Sequence, residues 1–129
     1  MTKTKVFVSF DYDNDGDLKI LFCGQAAHSD TPFEITDVSV KQHLLGDWKE
    51  KARQKIRASD QVAVICGLKT DAAAGVSAEL VLAQEEGKPY FLLSGRNGKT
   101  CVKPKAALST DKMYNWTWEN VGKLLNGGR

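Results

Sequence analysis

Glu79, in Gly75-Val76-Ser77-Ala78-Glu79-Leu80, opens an amphipathic helix just beyond an apolar strand. The loop between such a strand and helix lines the ligand crevice of an open α/β sheet. A carboxylate in the first turns of a helix is favoured in its ionised form by the macrodipole, so it could steady a cationic transition state or hold ribose hydroxyls. Spacing alone favours a solvated helix glutamate. Other constellations are incomplete. Asp11-Tyr12-Asp13-Asn14-Asp15-Gly16 starts like a calcium loop, but its twelfth position is Phe22 where a bidentate glutamate is needed. A phosphorylation site of receiver type needs an Asp directly after the third strand, and Cys66-Gly67 stands there, with Asp71 several residues on. Gly95-Arg96-Asn97-Gly98-Lys99-Thr100 ends like a phosphate-binding loop, yet Leu93 occupies the position of its first glycine, which leaves a turn. His28 and His43 have no acidic or nucleophilic partner nearby in sequence, and Ser77 suits a helix cap as well as a substrate contact.

The elements that must position Glu79 alternate. Lys5 to Phe10 reads as a strand that stops at an Asp/Asn/Gly cluster, followed by a short helix from Asp17 with Leu18, Leu21 and Phe22 on its packed side. Phe33 to Asp37 alternates as a second strand, and residues 38–46 carry no regular pattern. Trp48, Ala52 and Ile56 fall four apart and predict a surface helix with one buried stripe. Gln61 to Cys66 is nearly continuous in apolar residues, as a central parallel strand covered on both faces should be. Val76, Leu80 and Ala83 line the helix that carries Glu79 and stops at Gly87. Lys88 to Ser94 restarts as a strand, residues 95–115 hold a long loop with a short fifth strand, and Trp116 to Leu125 closes the chain as a helix with Val121, Leu124 and Leu125 on its core side. Parallel strands need crossover helices, so this order predicts a flavodoxin-like, three-layer α/β sandwich around a mainly parallel five-stranded sheet. The switch point falls between the first and third strands, which aims the loops after Phe10 and Cys66 at one crevice.

At 129 residues the chain fits a single domain spanning 1–129, with enough core to need neither disulfide nor structural metal. Charged residues make up 26%, hydrophobic residues 42%, and the net charge is +2 with Lys and Arg dispersed, which points away from nucleic acid and membrane surfaces. Cys23, Cys66 and Cys101 match no zinc or redox spacing and read as reduced thiols. No apolar leader precedes the first strand, so a cytoplasmic location is expected.

Four segments carry a family resemblance: Phe7-Val8-Ser9-Phe10-Asp11-Tyr12-Asp13, Ile65-Cys66-Gly67, Gly75 to Gly87, and Tyr114-Asn115-Trp116-Thr117-Trp118-Glu119-Asn120. In this order, across nearly the whole chain, they resemble TIR domains, most closely the TIR-like proteins of bacterial Thoeris antiphage defence. The resemblance implies an NAD⁺ glycohydrolase or ADP-ribosyl cyclase. On a phage-derived trigger it cleaves the nicotinamide glycosidic bond of NAD⁺ and forms an ADP-ribose-derived nucleotide that activates a separate effector. NAD⁺ is then substrate, not cofactor, and self-association is expected. Glu79 matches the family's catalytic glutamate, and Phe10, Asp11 and Tyr12 fall on the loop bordering its nucleotide pocket; Ser77, close to Glu79 in sequence, is expected as a further substrate contact if it is not the helix cap. One carboxylate suffices, because nicotinamide leaves as a neutral pyridine while the ribosyl cation gains from a nearby negative charge. Many NAD-cleaving TIR domains carry Trp-Cys shortly before the glutamate, where Val76-Ser77 stands here. TIR-like and receiver-like domains also serve as non-catalytic interaction modules, the alternative reading.

Overall fold

The computed structural model describes residues 4–11, 14–26, 33–38, 48–96 and 99–125. Tyr12, His28, His43 and the irregular stretch expected over 38–46, apart from the strand residue 38, lie outside them.

β1 (Thr4–Ser9), β2 (Phe33–Val38), β3 (Gln61–Cys66), β4 (Tyr90–Ser94) and β5 (Met113–Asn115) form one sheet in the order β2-β1-β3-β4-β5. Every pairing is parallel. Four helices, α1 (Gly16–Ala26), α2 (Trp48–Arg57), α3 (Ala74–Glu85) and α4 (Trp118–Leu125), are spaced between the strands and after the last one. The α/β three-layer architecture and the switch between β1 and β3 therefore stand as expected. β5 receives its limits only from the structure: it pairs Leu92 with Met113 and Ser94 with Asn115.

Side chains alternate across the sheet and divide the core in two. Val6, Val8 and Phe10 of the first strand pack with Leu18, Phe22, Ala63, Ile65, Phe91, Leu93, Val121 and Leu124 on the side covered by α1 and α4. Phe7 joins Ala52, Ile56, Val62, Val64, Cys66, Val76, Leu80, Ala83 and Leu92 on the side covered by α2 and α3. All six residues of β3 are buried, which is why every one after Gln61 is apolar, and the Gln61 amide is satisfied by donating to the Leu125 carbonyl at 2.7 Å. Gly87 takes φ +66, a left-handed conformation that costs glycine little, and ends α3 where the pattern predicted.

The packed side of α1 needs one correction. Leu18 and Phe22 are buried, but Leu21 is 62% exposed and so is its neighbour Ile20, at 64%. Leu21 sits three positions from Leu18 and one from Phe22, yet the helix meets the sheet along the 18–22 line. α2 and α3 are tied by ions as well as by their apolar stripes: Arg53 donates to Glu85 at 2.8 Å and to Glu86 at 2.7 Å, and Arg57 also pairs with Glu86. The two arginines hold the Glu86 carboxyl down at about 2.

Candidate functional site

Glu79 lies in the second turn of α3, on the helix face that packs against the sheet, and is 2% exposed. The macrodipole acts mainly within the first turn, so it offers this residue little. A side chain from β1 gives direct support: the Ser9 hydroxyl donates to Glu79 Oε1 at 2.8 Å. Ser9 itself is fully buried. Its position follows from strand alternation: with Val8 and Phe10 committed to the α1 side, Ser9 must point with Phe7 toward α3. A serine on the buried face of an apolar strand is the sequence signal for this contact. The pair sits at the carboxyl end of β1, the crevice end of a parallel sheet.

Phe10 and Ser77 face away from Glu79, and Asp11 serves the turn that follows β1. Phe10 is 2% exposed and belongs to the α1-side core, across the sheet from Glu79, so it supports the strand and does not face the glutamate. Asp11 caps the turn into α1: its carbonyl accepts from Asp15 N at 2.8 Å, and its Oδ2 accepts from Asn14 Nδ2 at 2.7 Å. Ser77 is two residues from Glu79 and so points to a different side of α3. It is no cap, since Ala73 holds that position, and its hydroxyl accepts from Ala106 N at 3.3 Å. Tyr12 lies outside the described residues. Glu79 with Ser9 is thus the pair the fold assembles.

Around the same end of the sheet the structure builds a cluster that sequence spacing does not show. Asp15 is 1% exposed and fits against Gly67, where a methyl group would lie 2.3 Å from Asp15 Oδ1. Arg96, in the loop read as a simple turn, reaches back over 79 to 82 positions to Asp15 Oδ1 (3.2 Å), Asp17 Oδ1 (2.9 Å) and the Asn14 carbonyl (3.0 Å). Burial pushes the Asp15 carboxyl up and the Arg96 guanidinium partly offsets that, while the exposed Asp17 is drawn down by its bond to Arg96. Cys66, at the end of β3, is pushed up to about 12 by burial, so it remains a thiol and is no nucleophile at neutral pH. No group of three His, Cys, Asp or Glu among the described residues is placed to hold a metal ion.

Glu79 lines neither of two clefts at the described surface. One, of about 320 Å³, is walled by Asn14, Asp15, Leu68, Lys69, Arg96 and Lys99 at the carboxyl ends of the strands. The other, of about 270 Å³, lies between β4 and β5, where the Tyr90 hydroxyl donates to Asp111 at 2.6 Å.

Among solved structures, the crystal structure of a prokaryotic SEFIR domain is similar to this chain over 97% of its length and 89% of that chain, with a TM-score of 0.54 and 18% identity. The fold is TIR-like. At that identity the likeness carries architecture alone. No family model matches the sequence, and no curated protein compared with it does. No described helix is long and apolar enough to cross a membrane.

Proposed function

We propose that this TIR-like domain is an NAD⁺-cleaving signalling enzyme in which Glu79 stabilises the ribosyl cation. The reading is supported above all by one observation: a buried carboxylate at the crevice end of β1, accepting a 2.8 Å hydrogen bond from Ser9. A buried acid is retained against its desolvation cost only with partners or a task. Its position suits a charge that meets a cation developing at the anomeric carbon of ribose. Nicotinamide departs neutral, so the reaction needs no proton donor, and electrostatic stabilisation by one carboxylate is the main requirement. The four family-like segments further suggest the setting: antiphage defence of the Thoeris kind, with a phage-derived trigger and an ADP-ribose-derived product, cyclic or conjugated, that activates a separate effector.

A second reading, a non-catalytic interaction module, is favoured by two features. Glu79 is 2% exposed and lines neither described cleft, and Ile20 and Leu21 present an apolar strip on α1. Mass spectrometry of nucleotides from infected and uninfected cells separates the two. The enzyme produces a compound derived from ADP-ribose on infection and loses it with Glu79→Gln; the module consumes no NAD⁺ under any trigger.

A further inference from the structure

The cleft of about 320 Å³ at the strand ends has the size of a small-ligand pocket and an unusual lining: three cations, one buried carboxylate and one exposed leucine. Two of the cations are uncommitted. Lys69 and Lys99 are exposed, and neither pairs with a carboxylate among the described residues. Arg96 is fixed instead: its terminal nitrogens are held by Asp15, Asp17 and the Asn14 carbonyl, so its charge is delivered to the cleft without further ordering. Beneath them Asp15, 1% exposed, has an oxygen, Oδ2, with no hydrogen-bond partner. Buried carboxylate oxygens are seldom left so, and this one needs a donor. Leu68, 48% exposed, adds an apolar wall at the mouth.

An anion alone would satisfy the lysines and leave Asp15 wanting; a neutral sugar would do the reverse. The geometry points to a phosphate-ester site in this cleft, with Lys69, Lys99 and Arg96 taking the phosphate and Asp15 taking a hydroxyl of the attached sugar. The ligand class is a sugar phosphate, either free or as the ribose phosphate of a nucleotide. The site does not draw on Glu79, which does not line this cleft, and it is read by binding without turnover.

Calorimetric titration of the whole chain at low salt tests it, with ribose 5-phosphate, ADP, inorganic phosphate and ribose as probes. Ribose 5-phosphate should bind at least about tenfold more tightly than inorganic phosphate or ribose, because a hydrogen bond to a charged group is worth at least that factor. Replacing both exposed lysines, Lys69→Gln with Lys99→Gln, should weaken it by about tenfold or more while thermal unfolding stays in place, and added salt should weaken it in the parent protein. Tighter binding of ADP than of ribose 5-phosphate would assign the site to nucleotides; the reverse order would assign it to free sugar phosphates. Absence of ribose 5-phosphate binding, or binding untouched by the double substitution, would overturn the site. Equal affinity for inorganic phosphate would overturn the sugar phosphate assignment.

Discussion

Gly67→Ala should be among the costliest single methyl additions in this protein. The new Cβ would lie 2.3 and 2.4 Å from the two oxygens of Asp15, whereas ordinary contact begins at 3.4 Å, so the carboxylate must retreat by about 1 Å. It has nowhere easy to go. Asp15 is 1% exposed, its Oδ1 is held by Arg96 at 3.2 Å, and its carbonyl accepts from Leu18 N and Lys19 N at the start of α1. Overpacking of this kind costs about 1–3 kcal/mol, and loosening the bond to Arg96 adds a further ~1 kcal/mol. For a domain of this size that is a fall in melting temperature of roughly 6–15 °C. Differential scanning calorimetry measures it, and a second background isolates the cause. In an Asp15→Ala protein the clash is gone, so adding Gly67→Ala should cost almost nothing further, a strongly non-additive pair. A melting temperature within about 2 °C of the parent, or an equal loss in both backgrounds, would refute the packing of Asp15 on Gly67.

Three other outcomes follow from individual contacts. The Glu86 carboxyl falls from an ordinary 4.5 to about 2 because Arg57 and Arg53 stabilise its anion, so its contribution to stability is full above about pH 4.5 and fades as pH drops toward 2; denaturant titrations should show that loss flattened in Glu86→Gln. Ser9→Ala removes a buried donor from Glu79 and should cost about 1–3 kcal/mol in urea unfolding, with Ser9→Thr restoring part of it. Cys66, held as a thiol by burial, should resist iodoacetamide in the native protein while the partly exposed Cys23 reacts first; mass mapping after timed labelling gives the order.

Much of the architecture was legible because its signals are local. The apolar run from Val62 to Cys66 in β3, the Val76-Leu80-Ala83 stripe of α3 and the Gly87 stop each depend on local residues. β1 also carried a finer message: alternation puts Ser9 opposite Val8 and Phe10, and that parity both pairs Ser9 with Glu79 and removes Phe10 from the glutamate's side of the sheet. Leu21 misled because α1 has apolar residues on more than one side, and only the docking of the helix decides which are covered. The Asp15, Gly67 and Arg96 cluster was out of reach of spacing. Its members come from the loops after three different strands, and the arginine bridges some eighty positions to meet its partners. Likewise β5, three residues long, is defined by pairing with β4 and by little in its own composition.

The account rests most heavily on Glu79, and one comparison addresses it directly: nicotinamide release from NAD⁺ in phage-infected cells expressing the parent protein or Glu79→Gln at equal soluble levels. The glutamine keeps the shape and can still accept from Ser9, so the melting temperature should move by less than about 3 °C, while release should fall by about 10²-fold or more, the usual cost of removing a charge that faces a transition state. Full release by a folded Glu79→Gln protein would contradict the assignment.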